Sequence, residues 1–263
     1  MHLADDSLIF FATDLSNYLA CQQLTLLSRR TALGGPKPPY FDDPAVDVLR
    51  KRGLDVGVMK PIETGCPARS SRRIGPDIRF LMAAAEAHDD LDLIAPYRLK
   101  APLAPLVAAE REGIAIDLHR IADAYRRLAA QHAVMLVEGI GGLMVPITRQ
   151  ATVLDLIRLL KLPILIVAAN RLGTLNHTLL TLRSAEQAGM MVRGIVFNQT
   201  KQRTDLSART NPQVLASWVK VPVLGTVPYV KGISVERQGL GRLDRALDHL
   251  EKDLHHLGIE LHA

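Results

Sequence analysis

The chain has 263 residues, is 48% hydrophobic but only 4% aromatic, and carries a formal net charge of +5. That length holds one large α/β domain or two small ones, and the aliphatic bias suits a parallel sheet covered by helices. The positive charges are dispersed. Their densest cluster, Arg69-Ser-Ser-Arg-Arg73, lacks interleaved aromatics and reads as a solvated loop, so no nucleic-acid partner is expected.

The two cysteines, Cys21 and Cys66, form no metal or redox motif, and the opening residues Met1–Asp6 carry acids where a secretory leader would be basic. No apolar run reaches the ~18 residues of a membrane span. A cytoplasmic protein with no membrane partner is expected.

In chain order, Leu8–Ala12 reads as a strand, and Thr13 or Asp14 as the cap of a helix to about Arg30. The breaker Gly34-Gly-Pro-Lys-Pro-Pro39 follows, then a short helix opened by Asp43-Pro44 and stopped at Gly53. From Asp55 onward, strands and helices alternate. Strands are predicted at Val56–Met59, Ala133–Val137, Pro163–Ala169, Val192–Phe197 and Pro222–Val227. Helices are predicted at Asp77–Ala87, Pro102–Glu112, Asp117–Gln131, Thr152–Lys161, Leu175–Gln187, Pro212–Val219 and about Gly241–Leu257. The pattern predicts an α/β fold with a doubly wound, mostly parallel sheet flanked by helices. The division expected is an atypical segment over residues 1–54 and an α/β domain over 55–263.

Three places carry candidate chemistry. The buried run Ala133–Val137 ends in Glu138, and Gly139, Gly141 and Gly142 follow within four positions. Ligands of open α/β sheets sit beyond the carboxyl ends of strands, and glycines there let a phosphate approach the backbone. Glu138 is then either an acid facing a metal-bound phosphate or an exposed residue of a tight turn. Lys60 ends its strand in Lys60-Pro-Ile-Glu-Thr-Gly65, offering a point charge to a carboxylate, carbamate or phosphate. Its plainer role is a surface lysine before a proline turn. Asp77, after Gly75-Pro76, is either a helix N-cap or a second carboxylate for magnesium.

Together these segments resemble the dethiobiotin synthetase family. The resemblance runs from about Leu54 to about Val235. It rests on Lys60-Pro-Ile-Glu-Thr-Gly65, Ala95-Pro-Tyr97, Val137-Glu-Gly-Ile-Gly-Gly142, Leu172-Gly-Thr-Leu-Asn-His177, Ala188-Gly189, Gly194-Ile-Val-Phe-Asn198 and Leu224-Gly-Thr-Val-Pro228. It implies an ATP-dependent cyclo-ligase of biotin synthesis that closes a ureido ring on 7,8-diaminopelargonate with CO2 and MgATP. An amine captured as its carbamate attacks the γ-phosphoryl group, and the second amine then closes the ring and expels phosphate.

The resemblance assigns Lys60 to the carbamate, and Thr64 and Asn176 to the substrate. Asp77 and Glu138 would bind Mg2+. Glu138, Gly139, Ile140 and Gly141 would line the phosphate path, and Asn198, Gln199, Pro228, Tyr229 and Val230 the adenosine pocket. It also implies a homodimer with substrate near the subunit interface.

One family element is missing. The first strand should lead into a Gly-x-x-x-x-Gly-Lys-[Ser/Thr] phosphate loop, whose amides and lysine hold the β- and γ-phosphates. The chain contains no Gly-Lys pair, and Ala12-Thr-Asp-Leu-Ser-Asn17, where the loop belongs, has neither glycine nor lysine. The expected fold is therefore P-loop NTPase-like without its phosphate loop, and turnover is expected to be impaired. The alternatives are a non-catalytic diamino-acid- or nucleotide-binding partner and a non-functional chimeric product. The first 54 residues, through Ala12–Cys21, Leu24–Leu27, Asp42–Pro44 and Leu49–Leu54, are similar to the start of a RecB-type nuclease-like family. That likeness stops before the metal-binding acidic core of that family and implies no nuclease activity. A rival reading lets Leu8–Ala12 and Asp14–Arg30 stand in for the missing first strand and helix.

Overall fold

The computed structural model describes residues 7–12, 55–67, 73–203 and 205–230. Among them, six strands form one wholly parallel sheet: β1 (Ser7–Ala12), β2 (Val56–Met59), β5 (Val134–Glu138), β6 (Ile164–Ala169), β7 (Val192–Asn198) and β8 (Val223–Val227). Their order is β2-β5-β1-β6-β7-β8. Two short strands, β3 (Ile62–Glu63) and β4 (Tyr97–Arg98), pair in parallel beside it.

Seven helices are described. They are α1 (Pro76–Ala84), α2 (Leu91–Ile94), α3 (Pro105–Glu112), α4 (Leu118–Ala129), α5 (Val153–Leu160), α6 (Thr174–Gln187) and α7 (Leu206–Trp218). The expected doubly wound parallel α/β architecture is present.

The apolar strands are buried on both faces, as parallel strands under helices must be. Val56, Val58, Val134 and Leu136 face α1 through Leu81 and Ala84. Met59, Met135 and Val137 alternate with them and join a larger core with Ile121 and Leu128 of α4, Ile157 of α5 and Phe197 of β7. Strand alternation thus assigns successive residues to opposite helical layers.

The predicted strand Leu8–Ala12 is β1, and it lies at the centre of the sheet. Its register sets Phe10 opposite Glu138 of β5 on one side and opposite Leu165 of β6 on the other. The strand half of the surrogate reading is therefore met. The helix expected over 14–30, the helix before Gly53, the helix near Gly241–Leu257 and nearly all of the nuclease-like likeness fall outside the described residues.

Two helix starts differ from expectation. The predicted helix Pro102–Glu112 opens at Pro105, the later of two prolines able to occupy a first turn. The predicted helix Pro212–Val219 opens at Leu206, with Asp205 accepting from the Ala208 amide at 2.8 Å, so Pro212 is internal. A proline there removes the N–H that would reach the carbonyl four residues back, Ala208. The side-chain amide of Asn170, at the end of β6, donates to that carbonyl at 2.8 Å. Asn211 in turn donates to the Asn170 side-chain oxygen and to the Arg171 carbonyl, each at 3.1 Å. This buried amide pair makes the proline tolerable and ties α7 to the end of the sheet.

Candidate functional site

All six strands of the main sheet run the same way, so their carboxyl ends share one edge. Lys60 follows β2 and Glu138 ends the adjacent β5, where Met59 pairs with Val137. Lys60 is buried. Its Nζ donates to Glu138 Oε1 at 2.7 Å and to the Gly139 carbonyl at 3.0 Å, and stands 3.0 Å from Asp77 Oδ2. The surface-lysine reading is thereby excluded. Burial alone would lower the lysine pKa, but Asp77 and Glu138 outweigh it and hold the group above its ordinary value.

Asp77 is in the first turn of α1 and is not its cap. Gly75 holds the N-cap position, which its missing side chain cannot serve. The cap comes instead from Glu63 of β3, whose two carboxylate oxygens accept from the Asp77 amide at 3.0 Å and the Ile78 amide at 3.2 Å. Glu63 is buried. Desolvation, then the nearby Asp77 charge, pushes its carboxyl up to about 8, against the pull of Lys60 and the two amides. Glu63 was visible in Lys60-Pro-Ile-Glu-Thr-Gly65, but its target lies 14 residues on, beyond any local capping pattern.

Two carboxylate oxygens and one carbonyl oxygen thus converge on one cationic centre. Such a hard-oxygen donor set fits a magnesium ion, which takes one or two protein carboxylates and fills its remaining positions with water and phosphate oxygens. No group of three or more His, Cys, Asp or Glu among the described residues is arranged to hold a metal. Asp77 and Glu138 would therefore depend on a nucleotide for the other ligands.

Thr64 is half-buried beside this cluster, in a loop anchored where the Gly65 amide meets the Ala101 carbonyl at 3.3 Å and the Cys66 amide meets Leu99 at 2.9 Å. The Cys66 thiol is buried, and that burial pushes its pKa up, away from redox reactivity. Gly139, Ile140 and Gly141 continue from Glu138. Gly141 has φ +65°, in the left-handed region that favours glycine.

The proposed adenosine residues lie further along the same edge. Asn198 ends β7 and pairs with Val227 of β8, and the Gln199 amide donates to the Val227 carbonyl at 2.8 Å. Pro228, Tyr229 and Val230 follow directly, with Pro228 and Tyr229 exposed. From β5 to β7 is three strand spacings, about 14 Å in all. Asn176 is exposed in the first turn of α6, which follows β6. The structure thus brings Lys60, Asp77 and Glu138 into contact. It sets Asn198, Gln199 and Pro228–Val230 apart from them along the same edge, with the end of β1 between.

Known proteins resemble this chain in sequence and in fold. Residues 46–237 match a family model described as an AAA domain. The chain is 41% identical to the ATP-dependent dethiobiotin synthetase BioD of Thermodesulfovibrio yellowstonii over 197 residues, covering 72% of this chain and 82% of that protein. It is 33% identical to the corresponding protein of Bacillus subtilis (strain 168), covering 72% and 80%.

The chain belongs to the dethiobiotin synthetase family.

In fold it is similar to the septum site-determining protein MinD complexed with Mg-ADP from Pyrococcus horikoshii OT3, with TM-score 0.54, 11% identity, and coverage of 98% and 99%. It is also similar to the MinD cell division protein of Aquifex aeolicus, with TM-score 0.51, 12% identity, and coverage of 95% and 97%. Identities this low speak to the P-loop NTPase-like fold alone. No described helix is long and apolar enough to cross a membrane.

Proposed function

We propose that this dethiobiotin synthetase family member converts 7,8-diaminopelargonate, CO2 and ATP to dethiobiotin, at a rate limited by its missing phosphate loop. The observation that carries the reading is Lys60 held at 2.7 and 3.0 Å from two carboxylates at the shared strand edge. A lysine so placed neutralises and orients an anionic carbamate, and the work of this reaction is positioning and charge neutralisation. Bound magnesium would neutralise the β- and γ-phosphate oxygens, with Asp77 and Glu138 as its protein ligands. Thr64 and Asn176 bind the diamino acid, Gly139–Gly141 flank the phosphates, and Asn198, Gln199 and Pro228–Val230 border adenosine. The homodimer and the cytoplasmic location implied by the resemblance belong to the same proposal. So does the division at residue 54, with the N-terminal segment replacing the usual phosphate-loop unit.

The weak point of the site is its centre. The phosphate loop of this fold follows β1, between the two groups of residues. Here Thr13-Asp-Leu-Ser-Asn17 follows it instead. Each lost charge-assisted contact to phosphate is worth about 1.5–3 kcal/mol. This favours one second reading, a non-catalytic protein that keeps the diamino-acid or nucleotide pocket. Calorimetric titration with MgATP and with 7,8-diaminopelargonate, beside a product assay for dethiobiotin, separates them. Slow ATP-dependent product formation supports the enzyme, and binding with no product supports the binder. Neither binding nor product overturns both.

A further inference from the structure

The start of α1 accounts for all its hydrogen-bond donors in an unusual way. The first amides of a helix have no partner within it and are normally served by the N-cap side chain. In α1 the N-cap is Gly75, which has no side chain, and the first helical residue is Pro76, which has no N–H. The Arg79 amide already reaches the Gly75 carbonyl at 3.2 Å. Only Asp77 and Ile78 are left to be served within this first turn, and both donate to Glu63. One carboxyl group from a neighbouring strand replaces the whole local cap.

Glu63 is itself held firmly. In β3 it pairs with Arg98 of β4, and its carbonyl accepts from the Leu99 amide at 2.8 Å. The helix start is shaped around it. A Cβ built on Gly75 would lie 2.0 Å from Glu63 Oε1, so no residue with a side chain fits there while Glu63 stays in place. Lys60, three residues before Glu63 on the same segment, meets the other end of Asp77 at 3.0 Å. Segment 60–63 therefore grips Asp77 twice, at its carboxylate through Lys60 and at its amide through Glu63.

We infer that Glu63 is the positioning residue of this site. It seats the first turn of α1 and so aims the Asp77 carboxylate at the point shared with Lys60 and Glu138, with Gly75 as the space that makes this possible. The inference rests on the reading of Asp77 as a magnesium ligand. It adds a residue that neither chelates metal nor contacts substrate.

The test uses the full chain and two readouts. Amide hydrogen exchange resolved at Asp77 and Ile78 reports the cap without any ligand. Glu63→Ala should speed exchange at both amides at least tenfold. Glu63→Gln, whose single carbonyl can serve one amide, should preserve only one of them. Gly75→Ala should mimic Glu63→Ala, and in the Glu63→Ala background it should add nothing, because the space is then free. Mn2+ binding in the presence of ADP, followed by electron paramagnetic resonance, reports the aim of Asp77. Glu63→Ala and Asp77→Asn should each weaken it about tenfold, the usual cost of losing a support behind a metal ligand.

Unchanged exchange in Glu63→Ala overturns the inference, as does an equal effect of Gly75→Ala in both backgrounds. Faster exchange with unchanged Mn2+ affinity, where Asp77→Asn does weaken it, also overturns the positioning role. If Asp77→Asn has no effect on Mn2+, the metal reading itself falls and takes the inference with it.

Discussion

The two ends of the candidate site are built on different principles. At the β2–β5 end, buried side chains hold one another: Lys60 reaches Glu138, Asp77 and the Gly139 carbonyl, and Glu63 caps the helix that carries Asp77. At the β7–β8 end, the backbone does the holding, through the pairing of Asn198 with Val227 and the Gln199 amide on the Val227 carbonyl, while Pro228 and Tyr229 face outward. A side-chain network concentrates charge for chemistry and fails when one member is removed. A backbone frame tolerates substitutions and suits a flat, weakly polar ligand such as a nucleoside. Under the proposed function, the reaction belongs to the first end and nucleotide recognition to the second.

The largest break in that contrast is Lys60→Ala. Losing a preorganised charge at the reacting centre should cost about 10²–10³ in the rate of product formation, read in a single-turnover assay. It also leaves Asp77 and Glu138 without their shared cation. Breaking a buried pair costs roughly 3–5 kcal/mol, and the partial exposure of these carboxylates, 34% and 27%, points to the lower end of that range or below it in urea unfolding. Next in size is Asn170→Ala, which leaves the Ala208 carbonyl buried without the donor that Pro212 cannot supply. The expected loss is about 1–3 kcal/mol of stability in the same unfolding experiment. A loss near zero would show that α7 adjusts around its proline.

At the other end, Asn198→Ala should raise the ATP concentration for half-maximal rate by about fivefold, the equivalent of one neutral hydrogen bond, with the maximal rate unchanged. A fall in maximal rate of the size seen for Lys60→Ala would erase the distinction between the two ends.

The smallest effect lies on the opposite edge of the sheet. His132 bridges Asp55 at 2.9 Å and Asp89 at 3.1 Å, lying over Gly57, where a Cβ would approach its ring to 2.4 Å. Burial opposes the imidazolium, but the two aspartates outweigh it and raise the His132 pKa. A raised folded-state pKa stabilises the protein fully below the unfolded histidine value near 6.5, and that contribution is lost as pH rises through the folded value. The melting temperature of the wild type relative to His132→Gln should therefore fall from pH 6 upward, with catalytic pH dependence unaffected. A constant difference across that range would refute the bridge.

What the sequence revealed follows the same division. The runs Val134–Val137 and Ile164–Ala169 were legible as strands because parallel strands are apolar on both faces. Lys60 and Glu138 were legible because their motifs sit at strand ends. Asp77 was found too, but its plain reading as a cap was wrong, since the capping acid comes from a strand 14 residues earlier. Pro212 suggested a helix start for the same reason. The amide that excuses an internal proline belongs to Asn170, 38 residues away from the carbonyl it serves. Local rules fail where a hydrogen bond is completed from a distant element, and both failures lie at the carboxyl edge where the site is built.

Under the proposed function, this chain keeps the chemical end of a dethiobiotin site while lacking the grip on phosphate between its two ends. Incorporation of labelled CO2 into dethiobiotin under single-turnover conditions with MgATP tests it most directly, with the Thermodesulfovibrio relative run in parallel. Product should form from this chain at least tenfold more slowly than from the relative, and from Lys60→Ala a further ~10²–10³-fold more slowly. A rate equal to that of the relative, product formation indifferent to Lys60→Ala, or no product from the wild-type chain would contradict it.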